Sequence, residues 1–410
     1  MKNAIVGVIA GLFVTTSLAA SGPVAAKQDP GGSTSIVTVE SGVHVFPSAV
    51  LGRGSTLEAQ VDSMVTQLDN RLSETGGIAN MMQHTLYVRD DVADPIKVLG
   101  LFHAAATGIA PSLKTQPSVG TILRVPALPD NAMVMIDVVA VSPSANKSLT
   151  RVPFTFGPKE IVETIATESL VFTSGFEAMD FENGTLAPTL DEQVDMVVLK
   201  LDGALRKVGL SPRHMVSHNL YIQRGTDPAE VIRKFHDSLR RLDPRVVDYP
   251  SVGALAIVDG MAVPGFKLEM DFVATKGDPA GVARTQFPVP MDIAQSATAG
   301  GYVLTSGIVG IDYKNGSSIA SGASEQAVMT ARNLHAALLK SGRSIADVVK
   351  FKHYVKIGDN PEEAVRRFNA EASRLDPRFG RKRYASTVVP VAGMAEPRIK
   401  FETSAVATSR

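Results

Sequence analysis

The reactive side chains of this sequence follow no common catalytic or metal-binding motif. The chain contains no G-x-S-x-G, H-E-x-x-H or P-loop sequence, so a nucleophile elbow, a zincin site and a phosphate loop are not indicated. Histidines recur near tyrosines, but His84 and His218 precede a tyrosine by three residues, whereas His353 adjoins one. Because this register differs, we expect no shared metal or catalytic role for them. The sequence therefore predicts neither a metal nor a cofactor.

Glutamates on two predicted strands are the best candidates for acid–base chemistry. Apolar and charged residues alternate over 266–272, which places Glu269 on the face opposite the apolar stripe. Glu402 occupies the corresponding strand 133 residues later and faces the same way. A carboxylate on such a face can activate water as a general base. The alternative is a solvated carboxylate, or one paired with Lys267 or Lys400 two residues away.

These glutamates lie in copies of one repeated unit. Four residue types recur at intervals of 133 residues, namely Gln60, Gln193 and Gln326; Leu68, Leu201 and Leu334; Gly76, Gly209 and Gly342; and Pro95, Pro228 and Pro361. Each copy opens with a Ser-Gly step after an apolar run, at Ser41-Gly42, Ser174-Gly175 and Ser306-Gly307. A period of this length is a whole domain rather than a solenoid unit. We predict three domains, over residues 34–145, 151–276 and 283–408.

The second copy shows which elements build each domain. Residues 189–192 form a predicted capping box, and the apolar residues from Leu190 to Val208 then step by three or four, which is one helical stripe. Gly209 closes this helix, and Pro228 opens a second one. Strands are predicted near 170–174, 215–222, 254–258 and 266–274. The order predicts an α+β fold, in which two helices cover one face of a mixed sheet.

Composition limits the partners of the chain. The 410 residues include 41 Lys+Arg and 41 Asp+Glu, so the formal net charge is zero. This balance favours neither nucleic acid nor an anionic membrane as a partner. The chain contains no cysteine, which excludes disulfides and thiolate chemistry.

The N-terminal segment has the pattern of a signal peptide. Lys2 supplies a basic start, Ala4–Leu18 is apolar, and Val24-Ala25-Ala26 offers a small-residue cleavage site. An uncleaved membrane anchor is the alternative, although the apolar run is shorter than the roughly 20 residues that a span needs. We therefore predict a signal peptide over residues 1–26, a periplasmic or secreted protein, and no membrane span after processing.

The repeated features resemble those of the reactive-intermediate-deaminase (Rid, or YjgF-like) family, which has a chorismate-mutase-like fold. The matching features are the Ser-Gly step, the Gln-x7-Leu helix closed by Gly, the Pro-Ser-Val-Gly blocks at 117–120 and 250–253, and the strand bearing Tyr87, Tyr221 or Tyr354. Such a resemblance implies homotrimers with a ligand cleft at each subunit boundary. Three fused copies would then form an intramolecular pseudo-trimer from one chain, with a small molecule at the inter-domain clefts. Separate domains on a string, or chains that trimerise further, are the alternatives.

The resemblance also implies the roles of individual residues. The family uses an Arg that binds the substrate carboxylate and a Glu that positions water. The Arg position is occupied by Val119, Val252 and Ala385, and the Glu position by Met135, Glu269 and Glu402. Glu269 and Glu402 are therefore the candidate catalytic residues. The candidate substrate-binding residues are Ser174, Gly175, Ser306, Gly307, Tyr221, Tyr354 and Arg383, the last of which could replace the missing Arg.

Three functions compete on this basis, and whether the chain is an enzyme stays open. The first is a divergent Rid-like hydrolase or deaminase that acts on a small imine, enamine or related reactive carbonyl compound. The second is a periplasmic protein that binds a small uncharged or apolar ligand without turning it over. The third is an interaction scaffold. Ribonuclease activity has no support in the neutral charge.

Overall fold

The computed structural model describes residues 8–9, 36–38, 44–315, 318–381 and 383–409. The predicted signal peptide lies outside the described residues except for Val8–Ile9, a two-residue strand (β1) that pairs antiparallel with Ser306 and Gly307. None of the helices in the described part of the chain combines the length and the apolar content needed to cross a bilayer.

The first unit (residues 36–146) contains helices α1 (Leu57–Leu72), α2 (Pro95–Ile109) and the one-turn α3 (Pro143–Asn146). Its strands are β2 (Ile36–Thr38), β3 (His44–Pro47), β4 (Val50–Leu51), β5 (Met81–Arg89), β6 (Val119–Val125) and β7 (Val134–Val141). The sheet order is β6-β5-β7-β3-β2, and only β5 and β6 are parallel.

The second unit (residues 150–275) repeats this plan with helices α4 (Leu190–Lys207) and α5 (Pro228–Leu242). Its strands are β8 (Thr150–Val152), β9 (Thr164–Ala166), β10 (Leu170–Thr173), β11 (Phe176–Glu177), β12 (Met179–Asp180), β13 (Thr185–Leu186), β14 (Met215–Gln223), β15 (Val252–Val258), β16 (Gly260–Met261) and β17 (Leu268–Thr275). The predicted capping box of α4 is confirmed, because Thr189 and Glu192 exchange side-chain and backbone hydrogen bonds. Strand β16 leaves its own sheet and pairs with β6 of the first unit.

The third unit (residues 283–408) contains helices α6 (Ala323–Lys340) and α7 (Pro361–Leu375). Its strands are β18 (Ala283–Thr285), β19 (Ser296–Ala299), β20 (Tyr302–Val309), β21 (Ile311–Asp312), β22 (Ser318–Ile319), β23 (Val348–Lys356), β24 (Ala385–Val391) and β25 (Phe401–Thr408). Each of the three units therefore has a mixed sheet with one parallel strand pair and two long helices. The predicted α+β class is confirmed.

Backbone groups at the Ser-Gly steps join neighbouring units. Gly120 of β6 donates its N–H to Ser174 Oγ (2.9 Å), and Gly175 returns a bond from its N–H to the Gly120 carbonyl (3.1 Å). At the equivalent place between the second and third units, Gly253 of β15 donates its N–H to Ser306 Oγ (3.1 Å). The serine hydroxyls thus hold one sheet edge against the next.

The first unit makes its equivalent contacts with a different pair of residues from the pair that the sequence pattern indicated. Ser386 of β24 donates its N–H to Ser48 Oγ (3.1 Å), and Ala49 donates its N–H to the Ser386 carbonyl (3.3 Å). The step of the first unit is therefore Ser48-Ala49. The predicted Ser41-Gly42 lies outside the described residues. The step of the first unit therefore lies seven residues later than the 133-residue period predicts. The reason is that the first unit passes from β4 directly to α1, whereas the second unit has the hairpin β12–β13 between the corresponding elements.

A buried ionic cluster joins the first and third units. Lys350 Nζ lies 2.6 Å from Asp137 Oδ1 and also donates to Thr387 Oγ1 (2.9 Å), and Lys352 Nζ lies 3.2 Å from Asp137 Oδ2. All three charged side chains are buried. Burial opposes ionisation of Asp137, but the two lysine charges outweigh it and hold the Asp137 pKa below its usual value.

The equivalent aspartate of the second unit has neutral partners. Asn219 Nδ2 (2.5 Å) and the Tyr221 hydroxyl (3.3 Å) donate to Asp271, and Thr121 of the first unit donates from 3.4 Å. Burial raises the Asp271 pKa. A cavity of about 20 Å³ between the two aspartates is large enough for one water molecule.

We predict that Asp137→Asn strongly destabilises the protein. The substitution leaves Lys350 and Lys352 buried without a counter-ion, a loss that typically costs about 3–5 kcal/mol. Urea denaturation measures the change. The control is Asp237→Asn, which removes an ion pair with Arg233 whose partners are both exposed, and should cost less than about 1 kcal/mol. Equal effects of the two variants would contradict the role assigned to the cluster.

Candidate functional site

Strand register places the three predicted acid–base positions at equivalent points of the three sheets. Glu269 of β17, Glu402 of β25 and Met135 of β7 each lie between the strand that follows the Ser-Gly step and the strand that carries the repeated tyrosine. Their register partners are, respectively, Glu177 and Tyr221, Val309 and Tyr354, and Leu51 and Tyr87. The structure therefore brings each glutamate beside one of the predicted tyrosines.

Glu269 is buried at the interface between the first and second units. A Cβ atom on Gly175 would lie 1.8 Å from Glu269 Oε1, so a larger residue here would displace the Glu269 carboxyl. Burial raises the Glu269 pKa well above its usual value, as do the neighbouring Glu177 and Asp271, while a hydrogen bond from the Ile122 N–H lowers it less. The Glu269 carboxyl therefore holds its proton more tightly than an exposed glutamate does.

Glu402 is fully buried and has no polar partner in the described part of the chain. Its relative exposure is 0 %, and neither carboxyl oxygen receives or makes a hydrogen bond there. Burial alone raises its pKa well above the usual value. An unsatisfied buried carboxyl is costly, because it gives up its hydrogen bonds to water without replacement. Glu402 thus carries an unused donor and acceptor inside the molecule.

The alternative environment for the glutamates, solvation or a lysine pair, is wrong. Lys267 Nζ donates to Gln223 Oε1 (3.1 Å), and Lys400 pairs with Asp359 (3.5 Å). Glu269 instead faces the first unit, whose Ile122 N–H reaches it, and Glu402 is buried at the equivalent position of the third sheet.

The remaining predicted binding residues divide into buried and exposed ones. The hydroxyls of Ser174 and Ser306 donate to the carbonyls of Val162 (2.6 Å) and Ala294 (2.5 Å) while accepting the inter-unit bonds. They are therefore occupied by structural contacts. Arg383 is exposed in the segment just before β24.

The predicted tyrosines are both buried within the interior of the molecule. Tyr221 donates to Asp271, and Tyr354 lies beside Glu402. Burial raises the pKa of each phenol well above its usual value, so both are neutral hydrogen-bonding groups.

Val119, Val252 and Ala385 are confirmed as equivalent positions. Each is the first residue of the strand that pairs in parallel with the tyrosine-bearing strand, and each is fully buried. None of these side chains can form a hydrogen bond or an ion pair with a ligand.

The interface between the second and third units differs from the other two. Gly175 and Ala49 give their N–H groups to the neighbouring unit, whereas Ser306 and Gly307 pair with β1 from the N-terminal segment. This Ser-Gly step therefore pairs with a strand that belongs to neither unit, while the Ser306 N–H donates to the Gln295 carbonyl of its own unit (2.9 Å).

Several buried charged groups were missed by the sequence analysis. Asp137, Asp271, Lys350 and Lys352 form the interior cluster, and no group of three or more metal-binding side chains occurs in the part of the chain that the structure describes. Strand alternation already placed Asp271 on the same face as Glu269. Nothing in the sequence indicated that Asp137 would meet lysines more than 200 residues away.

Comparison with known proteins finds a family that is similar to the third unit. Residues 292–409 match the family model described as Endoribonuclease L-PSP. The complete chain resembles the Rid, YjgF-like family as three tandem copies through the repeated features of its sequence. No protein of curated function matches the chain significantly.

Solved structures similar to this Rid-like chain include single-domain and longer proteins. A putative endoribonuclease L-PSP from Entamoeba histolytica is 24% identical over 31% of this chain and 98% of its own, with a TM-score of 0.27. Escherichia coli TdcF with bound serine is 21% identical over 31% and 92%, with a TM-score of 0.25. A chorismatase is 12% identical over 81% and 94%, with a TM-score of 0.48.

We predict that Glu402→Gln reduces the fall in the free energy of unfolding that the wild type shows as the pH rises. The folded-state pKa of Glu402 is raised, so the native state holds this proton more tightly than the unfolded state. Stability therefore falls as pH rises above the ordinary glutamate pKa, by at most about 1.4 kcal/mol per pH unit for one proton. Glutamine imitates the neutral carboxyl and removes this contribution.

Urea denaturation at about pH 5 and about pH 8 measures the effect. The control Glu396→Gln removes a partner of Arg398 near the surface and should leave the difference between the two pH values unchanged. A Glu402→Gln protein with the full wild-type pH dependence would show that Glu402 ionises freely.

Proposed function

We propose that this chain is an exported, divergent Rid-like hydrolase that acts on a small uncharged imine, enamine or related reactive carbonyl compound. The site is the interface between the second and third units. The observation that carries the proposal is Glu402, a fully buried carboxyl whose two oxygens have no partner among the described residues.

A neutral carboxyl suits the first step of imine hydrolysis. Glu402 donates its proton to the imine nitrogen, which makes the imine carbon electrophilic. Water adds to that carbon, and the Glu402 carboxylate takes the proton that the water loses. The resulting amino alcohol passes its hydroxyl proton to its own nitrogen, the C–N bond breaks, and the neutral amine and a carbonyl product leave, so Glu402 ends protonated as it began. Tyr354, beside Glu402, can hold the substrate by a hydrogen bond.

The absence of a cation at the repeated strand position argues for an uncharged substrate. Resemblance to the Rid family places the carboxylate-binding Arg at Val119, Val252 and Ala385, and these apolar side chains are buried. A carboxylate placed against valine would lose its hydration without gaining a partner. The exposed Arg383 lies at the surface, so it offers no fixed replacement inside the interface.

Removal of the N-terminal segment provides access in this proposal. Strand β1 pairs with Ser306 and Gly307 and belongs to the predicted signal peptide. Cleavage after export to the periplasm or the medium would remove the pairing of β1 with this step, which is near Glu402 in the strand register. A substrate could then approach this interface beside the remaining Gly253–Ser306 bond, whereas Gly175 and Ala49 donate directly to the neighbouring unit at the other two interfaces.

A non-catalytic binding protein or scaffold is the second candidate. Specific observations favour it, because all three interfaces are joined by direct hydrogen bonds and the third–first interface has Met135 in place of a glutamate. At least one of the three interfaces thus has no acid–base group of this kind.

We predict that Glu402→Gln lowers imine hydrolysis by at least about tenfold, because general acid–base catalysis typically contributes roughly 10²–10⁴-fold. Turnover of enzymatically generated imines by the processed protein is the measurement, with uncharged imines compared against 2-iminopropionate. The control Met135→Ala should leave turnover intact. A Glu269→Gln variant shows whether the first–second interface contributes to turnover.

Two results would count against the hydrolase. Negligible and equal effects of the three variants would reject this site, and binding without turnover would support the second candidate. Preferred turnover of 2-iminopropionate would show that a cation reaches the substrate carboxylate after all.

We also propose that one chain forms a closed pseudo-trimer. Three copies saturate a three-fold arrangement, and the equivalent contacts at Ser48, Ser174 and Ser306 support this assembly. Light scattering on the processed protein should therefore give the mass of a single chain. A stable mass of three chains would rule out the closed form.

A further inference from the structure

A groove on the second unit has no part in the proposed hydrolysis. It is about 270 Å³ in volume and lies between α4, the hairpin β12–β13 and the segment before β9. Its apolar lining consists of Phe154, Phe156, Phe176, Phe181, Met179 and Met196. Phe156 is 49 % exposed, which is unusual for a large aromatic side chain and leaves a ring at the rim of the groove.

One ammonium group lies among these rings. Lys200 of α4 is half-buried, and its Nζ donates to the Glu177 carbonyl (2.8 Å) and lies 4.5 Å from the centre of the Phe181 ring. An ammonium has three donors, and in the described part of the chain only this carbonyl accepts from Lys200. Burial lowers the Lys200 pKa, so its charge is partly removed from water.

The repeat shows that the fold does not require this charge. The equivalent helix positions of the first and third units are Gln67 and Asn333, which donate to the carbonyls of Leu51 (3.2 Å) and Val309 (2.9 Å). These carbonyls are the counterparts of the Glu177 carbonyl. A neutral amide therefore performs the structural task twice, and the second unit alone performs it with a cation.

The carboxyl groups around the groove do not neutralise Lys200 by direct contact. Glu163 pairs with Lys207 (2.7 Å), and Asp180 accepts bonds from the side chain and backbone of Asn183. Burial raises the pKa of Glu177 to about 7 against the opposing effect of Lys200, so Glu177 is largely neutral below that pH. Within the described residues no carboxylate lies within ion-pair distance of Lys200 Nζ.

We propose that this groove binds a small aromatic monocarboxylate. The carboxylate accepts charge-assisted hydrogen bonds from the free donors of Lys200, and the ring packs against the phenylalanines. The Lys200 charge selects an anion, and the aromatic walls select its planar apolar body. The groove lies away from Glu402, so binding here is independent of the proposed hydrolysis.

Calorimetric titration of the purified chain with 2-naphthoate and with its neutral amide tests the proposal. We expect the carboxylate to bind at least about tenfold more tightly than the amide. Lys200→Gln copies the first-unit side chain at this position and keeps the carbonyl bond, so it should remove that preference while leaving amide binding unchanged. Phe156→Ser, at an exposed position that folding does not need, should weaken both ligands.

The matched control is Lys267→Gln, which removes another lysine of the second unit, one whose ammonium donates only to Gln223 within the described residues. It should behave like the wild type. Absence of naphthoate binding, equal affinity for acid and amide, or an unchanged preference in Lys200→Gln would each overturn the proposal. Glu402→Gln should not affect naphthoate binding, so failure here and failure of the hydrolase are distinguished.

Discussion

Asp137 can keep its charge in the interior only because two lysines of another unit reach it. A lone carboxylate in that position would become protonated or would unfold the sheet around it, since burial opposes ionisation. Lys350 and Lys352 come from β23 of the third sheet, and both are buried. The first and third units are therefore stable in these conformations only when they are packed together, and the interior of each sheet depends on its neighbour.

The hydrogen bonds between units and to strand carbonyls recur in all three units, although the side chains that make them differ. Ser48, Ser174 and Ser306 make the same inter-unit bond although their flanking segments differ in length. A helix side chain reaches the same strand carbonyl in every unit, but its chemistry changes from amide to ammonium. A position that must only donate one hydrogen bond tolerates any donor of the right length, which leaves the charge free to vary.

Burial changes the chemistry available at the glutamate positions. An exposed glutamate would be a carboxylate and a base, whereas burial raises the pKa of Glu269 and Glu402 and favours their protonated forms. The two buried carboxyls differ in their hydrogen bonds. Glu269 has a backbone partner from the first unit, and Glu402 has none among the described residues. Equivalent places in a repeat can thus differ in reactivity through the neighbouring unit alone.

The sequence by itself determined the repeat, the α+β order and the equivalence of Glu269 with Glu402, because helix caps and strand alternation are local and are repeated with a constant period. It misplaced the first Ser-Gly step, since an insertion in the other units shifts that step relative to the period. Only the tertiary structure decided what covers each glutamate and which charges meet Asp137. Strand alternation predicts the face of the sheet on which a side chain lies. Its partner on that face comes from a distant segment, and the position of that segment depends on the packing of all three sheets.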